Sequence, residues 1–325
     1  MKVLVIGGAG YIGSHVAREL LDANHSVTVF DNLSSGHKQN IFEEETLVEG
    51  DILRSDKLKK CMDDGFDALV HLAAFKAAGE SMDKPEKYSV NNITGTINIL
   101  NAAIQTDIKN IVFSSSAAVY GEPEYLPVDE DHPTVPANYY GFTKLEIERF
   151  LAWYDKLKSL KYAALRYFNA AGYDKKGRIT GLERNPANLL PVIMEVAAGF
   201  REKISIFGDD YETPDGTGIR DYIHVSDLAH AHRQALDYIT QKKESLTVNL
   251  GSETGLSVQE ILESARRFTQ KPIPSEVTGR RPGDPAKLVS SAGKAARVLN
   301  WKARHSDVDS LVETSWSVYR NYVKK

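Results

Sequence analysis

Apolar residues fall along the first half of the chain in two alternating patterns. Val3, Leu4, Val5 and Ile6 form an unbroken apolar run that stops at Gly7. Ile12, Val16, Leu20 and Leu21 then recur at the spacing of one helix face, and a second apolar run at 26–30 stops at Asp31. Continuous runs mark strands buried on both faces, and a 3.6-residue stripe marks a helix laid against them. The alternation continues through a strand at 46–48, a helix at about 56–62 and a strand at 68–72. A helical pattern at about 85–105 follows, with Ile93, Ile97, Leu100 and Ile104 apolar. A strand at 110–114, a helix at about 139–157 and a strand at 162–168 complete it. Such alternation predicts an α/β fold, a doubly wound parallel sheet with helices on both faces.

Beyond Asn169 the texture changes. Gly, Pro and Asp become frequent at 172–191 and again at 208–218, and short elements replace the long ones. At 325 residues the chain exceeds most single cores, so two lobes are expected. The division is a doubly wound first lobe at 1–170 and a smaller α/β lobe at 171–325, with return segments to the first lobe near 225–250. The helices near 85–105 and 139–157 either cover one sheet face or pair with their copies in a homodimer.

The remaining composition narrows the function classes. A formal net charge of −4 with no basic tract argues against nucleic acid as the main partner. One cysteine, Cys61, excludes an internal disulfide, fits a reducing cytoplasm and reads as a small buried hydrophobe. No leader pattern is expected, because the glycines interrupt the N-terminal apolar run after four residues. No stretch approaches the roughly 18 apolar residues of a membrane span. His224, His230 and His232 cluster in sequence but lack metal-ligand spacing, so no metal is expected.

The glycines after the first strand carry the first chemistry. Gly7 permits a tight turn, Gly10 lets backbone approach a pyrophosphate, and Gly13 lets the helix pack close to the strand. Tyr11 and Ile12 open a helix whose N–H groups and positive dipole end can hold phosphates. Asp31, at the end of the second strand, is placed to bond an adenosine ribose and would repel a 2′-phosphate. The cofactor expected is therefore NAD rather than NADP.

Tyr140 and Lys144 stand four apart, on one helix face. An ammonium beside the phenol can lower a pKa that otherwise lies near 10, and an oxidised nicotinamide would push the same way. Tyr154/Lys158 and Tyr238/Lys242 share the spacing, so context decides. Upstream, Ser114, Ser115 and Ser116 lie at the C-terminal end of a predicted strand, where doubly wound sheets bind ligands. Ser116 and Tyr140 can thus face one nicotinamide.

These motifs resemble the extended short-chain dehydrogenase/reductase family, and the likeness spans nearly the whole chain. It rests on Gly-Gly-Ala-Gly-Tyr-Ile-Gly-Ser-His at 7–15, Val-Glu-Gly-Asp-Ile at 48–52 and Lys-Ala-Ala-Gly-Glu-Ser at 76–81. Ser-Ser-Ser-Ala-Ala-Val-Tyr-Gly at 114–121 and Arg-Tyr-Phe-Asn at 166–169 extend it. Asn-Leu-Leu-Pro at 188–191, Asp-Gly-Thr-Gly-Ile-Arg-Asp-Tyr-Ile-His-Val at 215–225 and Arg-Arg-Pro-Gly-Asp at 280–284 point to its nucleotide-sugar epimerase branch.

By that resemblance Tyr140 is the catalytic base, Lys144 tunes it and holds the nicotinamide ribose, and Ser116 bonds the sugar oxygen. The resemblance further implies that Asn32, Asp51 and Ile52 border the adenosine, while Lys76 and Asn91 contact NAD phosphates and ribose. It places UDP against Asn169, Asn188, Leu189, Arg220, Arg281 and Asp284, with Phe207 near the uracil and Leu288 beside the sugar C2 substituent. Without it, Arg220 and Arg281 read as surface ion pairs with Asp221 or Asp284. The implied activity interconverts UDP-galactose and UDP-glucose on tightly bound NAD, with UDP-N-acetylhexosamines as further substrates. Dehydratases of this scaffold carry an Asp-Glu pair where this chain has Ala117 and Ala118. A decarboxylase or pentose epimerase of the same scaffold, or a non-catalytic NAD-binding scaffold, are the other readings.

Overall fold

The structure, a computed structural model, describes residues 1–323 apart from 185, 282 and 283. Pro282 and Gly283 of the 280–284 motif thus lie outside the described residues.

The first lobe runs β1 (Lys2–Ile6), α1 (Tyr11–Asp22), β2 (Ser26–Asp31), β3 (Thr46–Glu49), α2 (Ser55–Met62) and β4 (Ala68–His71). Next come α3 (Ala78–Asp83), α4 (Pro85–Tyr88), α5 (Gly95–Gln105), β5 (Asn110–Ser114), α6 (Tyr139–Lys158), β6 (Lys161–Tyr167) and β7 (Asn169–Ala171). The rest is α7 (Leu189–Ala197), β8 (Ile204–Phe207), β9 (Ile219–Arg220), β10 (Tyr222–His224), α8 (Val225–Lys242), β11 (Leu246–Leu250) and β12 (Leu256–Ser257). It ends with α9 (Val258–Thr269), β13 (Ser275–Thr278), β14 (Lys287–Leu288), α10 (Gly293–Leu299) and α11 (Val308–Tyr319).

Seven strands form one parallel sheet in the order β11-β6-β5-β4-β1-β2-β3. Chain order reverses between β1 and β4, so the carboxyl ends of those strands open a crevice at the switch point. Alternate residues of β1 feed the two cores. Val3 and Val5 join Val16 and Leu20 of α1 and Leu228 of α8, whereas Leu4 and Ile6 join Leu58 of α2 and Leu100 of α5. Cys61 lies in the second of these cores. α8 and β11, from late in the chain, complete the sheet and its first face.

A separate apolar cluster holds the later part together, with Leu190 and Ile193 of α7, Ile261 and Leu262 of α9, and Leu311 and Val312 of α11. The stretch 85–105 is not a single regular helix. Residues Ser89–Thr94 form a π-helical turn between α4 and α5. There buried Asn92 donates to the Phe75 carbonyl at 3.0 Å and to Thr143 at 3.2 Å.

Candidate functional site

The glycine turn is shaped by contact. Gly7 adopts a φ of 86°, and a Cβ there would stand 2.7 Å from the Ala73 nitrogen. A Cβ on Gly13 would stand 2.1 Å from the Gly7 carbonyl oxygen, so only glycine lets α1 start this close to β1. At Gly10 the nearest atom to an added Cβ, the Gly7 oxygen, is 3.3 Å away. Gly10 caps α1 without a side-chain bond, which leaves the first helical turn uncapped toward the crevice.

Asp31 is buried at the end of β2 and accepts from the Ala9 amide at 3.0 Å and the Leu33 amide at 2.8 Å. Burial pushes its carboxyl up, and the two amides pull it back. Beside it, Asn32 donates to Asp51 at 3.0 Å.

The catalytic candidates meet because α6 begins against the serine run. Asn138 caps the helix by accepting from the Gly141 amide at 2.8 Å. A Cβ on Gly141 would lie 2.2 Å from the Ala118 carbonyl oxygen, so glycine allows the helix start to dock on the 116–118 turn. Tyr140 is thereby half-buried at the cleft wall with its hydroxyl bonded to Ser116. Lys144, one turn on, is buried and donates to the Ser114 carbonyl at 2.7 Å.

The electrostatics differ from the sequence expectation in one respect. Burial pushes the Tyr140 phenol above its usual value, opposed only by the Ser116 hydrogen bond. Burial likewise pulls the Lys144 ammonium down to about 7, opposed by Glu148. The Lys144 nitrogen lies 5.8 Å from the Tyr140 ring centre, and its own desolvation blunts the pull that spacing alone implies.

One cleft of about 470 Å³ is lined by Gly7, Gly10, Tyr11, Ile12, Gly13, Asp31, Asn32, Ile52, Lys76, Asn91, Ser116, Tyr140, Lys144, Asn169 and Asn188. Asp51, Leu189, Phe207, Arg220, Arg281, Asp284 and Leu288 do not line it. Leu189 opens α7 directly after Asn188. Leu288 on β14 stands in register with Arg220 on β9, and Arg220 is ion-paired to Asp284. The Arg281 guanidinium lies 3.8 Å over the Phe207 ring. Asp221 instead accepts from Ser252 and Ser290, so the ion-pair alternative for Arg220 falls on Asp284 alone. Lys76 reaches Glu183 at 2.6 Å, and Asn91 donates to Asn92 at 3.0 Å.

Sequence reading missed Phe75, Tyr88, Tyr167, Glu183 and His37, all of which line the cleft. Phe75 and Tyr167 follow or end parallel strands, and that position at a carboxyl edge was the available signal. Glu183 and His37 lie in loops without a pattern.

The cleft fits NAD. The uncapped start of α1 suits a pyrophosphate. His37 presents a buried ring nitrogen, Nε2, without a partner in the protein, and lines the same cleft. Among the described residues, no group of three or more His, Cys, Asp or Glu side chains could hold a metal ion, and no helix is long and apolar enough to cross a membrane.

The model of the NAD dependent epimerase/dehydratase family matches residues 3–251. A UDP-glucose 4-epimerase of Halalkalibacterium halodurans is 44% identical over 325 residues, covering 99% of this chain and 96% of that protein. The crystal structure of UDP-glucose 4-epimerase from Brucella ovis in complex with NAD superposes with a TM-score of 0.95 at 42% identity, covering 98% of each chain. The UDP-Glc/GlcNAc 4-epimerase of Campylobacter jejuni superposes at 0.87 with 38% identity, covering 98% of this chain and 99% of that one.

Proposed function

The chain belongs to the NAD dependent epimerase/dehydratase family, and we propose that it interconverts UDP-galactose and UDP-glucose by oxidising the sugar at C4 and reducing it from the opposite face. The observation that carries this reading is the meeting of Ser116, Tyr140 and Lys144 in the cleft that begins at the glycine turn. Neighbouring Ala117 and Ala118 offer no carboxylate for the acid–base work of a dehydratase.

NAD, when bound, supplies the acceptor for the C4 hydride, its later donor, and a positive ring charge that lowers the phenol pKa. Gly7, Gly10, Tyr11, Ile12 and Gly13 cradle its phosphates, joined by Lys76 and Asn91. Asp31, Asn32, Asp51 and Ile52 border its adenosine. Tyr140 takes the proton from the C4 hydroxyl, and Ser116 bonds the same oxygen. Lys144 stays beneath them as the cation that favours the phenolate. The buried ammonium is already held in place by the Ser114 carbonyl when charge moves, which is where preorganised sites gain most.

UDP serves as the anchor. Arg220 and Arg281 offer planar forks to the diphosphate. Asp284 accepts from ribose hydroxyls, Phe207 meets the uracil, and Asn169, Asn188 and Leu189 line the path to the sugar. Binding energy remote from C4 holds the nucleotide while the 4-keto sugar turns about its link to the diphosphate. Leu288 sets the room beside C2, and its middling size admits UDP-N-acetylhexosamines.

Residues 1–170 with the return at 225–250 serve as the cofactor lobe, and 171–325 as the nucleotide-sugar lobe. The participation of α8 and β11 in the first core supports that division. We further infer a homodimer through the helices near 85–105 and 139–157. Val90, Trp153 and Leu157 are half or more exposed there, apolar side chains that a partner helix could cover. Residence in the cytoplasm fits the single buried Cys61. Incubating the purified protein with UDP-galactose and no added NAD tests the activity: UDP-glucose forming by chromatography supports it, and no product after adding NAD defeats it.

A further inference from the structure

Beneath the catalytic candidates lies a buried polar network that the reaction does not use directly. Glu148, one turn after Lys144 on α6, is buried and takes both Nε and a terminal nitrogen of Arg166, at 3.0 and 2.6 Å. Arg166 comes from β6, which pairs with β5 along its length. The same carboxylate accepts from the Ser115 hydroxyl. Arg166 also donates to the Tyr120 hydroxyl at 3.0 Å, and Tyr120 donates to Asn249 of β11 at 2.6 Å.

Ser115 is the link that matters. Its neighbour Ser114 supplies the carbonyl that holds the Lys144 ammonium at 2.7 Å, and its other neighbour Ser116 bonds Tyr140. One carboxylate therefore holds, through the Ser115 hydroxyl, the short segment on which both catalytic partners depend, alongside His232, which meets the Ser114 hydroxyl at 2.8 Å. A buried ion pair is weak evidence for stability, since apolar groups of equal volume often serve as well. This one also spans a helix and a strand exactly where their relative position sets the site.

We propose that Glu148, locked by Arg166, is a positioning residue for the reaction, holding the 114–116 segment and the Lys144 ammonium in the arrangement that proton removal at C4 requires. This rests on the C4-epimerase reading above. Other ionisable groups face this core. On β4 there is His71, pushed down to about 3, and on α8 His232, pushed down to about 4. Tyr120 is pushed up to about 12, Tyr140 and Tyr167 are also raised, and Arg166 stays cationic. Near neutral pH Glu148 is thus the carboxylate whose charge bears on Lys144.

The test compares the pH profile of UDP-galactose turnover in Glu148→Gln with the wild-type protein, together with bound NAD and melting temperature. Glutamine keeps the shape and removes the anion, so the ammonium becomes easier to deprotonate. The alkaline limb of kcat/KM should move down by about one pH unit, with kcat reduced more than KM and NAD retained. A profile that superposes on wild type overturns the proposal. The double substitution Glu148→Met with Arg166→Met replaces the pair by apolar groups. Folded protein with the altered profile supports positioning, and full recovery of wild-type kinetics overturns it. Ser115→Ala leaves the ion pair intact and decides the matter if Glu148→Gln does not fold. A several-fold loss of kcat at constant KM supports the proposal, and unchanged kcat overturns it. Wild-type protein inactive on UDP-galactose defeats the underlying reading before any variant is compared.

Discussion

Lys144 donates to the carbonyl of Ser114 at 2.7 Å, so the cation beneath the proposed base is held by the strand that presents Ser116. Helix and strand are tied at the point where the chemistry is placed. Removing the base should therefore leave the scaffold standing. Tyr140→Phe is expected to lower kcat by about 10²–10⁴-fold, the usual worth of a positioned acid–base group, while bound NAD is kept. Steady-state kinetics with absorbance of the released cofactor checks both.

Burial makes Lys144 a costly charge in the ligand-free protein. Its folded pKa is pulled down to about 7, below its ordinary value. Between about pH 7 and its ordinary value near 10.4 the unfolded chain binds the proton that the folded chain has released, so stability contributed by this group rises with pH. Below about 7 the buried ammonium is charged and its penalty is complete. Lys144→Met should stabilise the ligand-free protein more at pH 6 than at pH 9. Melting temperatures of both proteins at the two pH values read this directly, and a constant difference would contradict it.

The sequence showed β1, β4 and β5 because they are almost wholly buried and read as apolar runs, whereas β3 at the sheet edge is only partly buried. It also showed the glycine turn, since close approach at Gly7 and Gly13 admits no side chain. The π-helical turn at Ser89–Thr94 was not legible, because Asn92 is held by Phe75 and Thr143, partners distant in sequence. β9 and β14, two residues each, are too short for any periodicity. The direction of the Tyr140 shift escaped for a related reason: spacing gives a neighbour but not the burial that outweighs it.

Arg281 lies over Phe207, clear of the Tyr140 cleft lining. Arg281→Ala should weaken the grip on the nucleotide without touching the chemical step. KM for UDP-galactose and the inhibition constant of UDP are expected to rise together by about tenfold, the worth of one charge-assisted contact, with kcat little changed.

Leu288 is expected to set sugar range by bulk. Leu288→Ala should raise the rate on UDP-N-acetylglucosamine relative to UDP-galactose, and Leu288→Tyr should lower it. Competing the two substrates in one assay gives the ratio.

Trp153 and Leu157 project from α6 with 56% and 65% of their surfaces exposed. On the proposed homodimer, replacing both with glutamate should lower the sedimentation coefficient to that of a monomer. An unchanged sedimentation coefficient would defeat a dimer through these helices.

On the proposed route, hydrogen leaves C4 of the sugar and returns to the same carbon without meeting solvent. Converting UDP-galactose in deuterium oxide, with no NAD added, and reading the product by proton NMR tests this most directly. UDP-glucose with protium at C4 and no deuterium there is the expected product. Deuterium at C4 would contradict it.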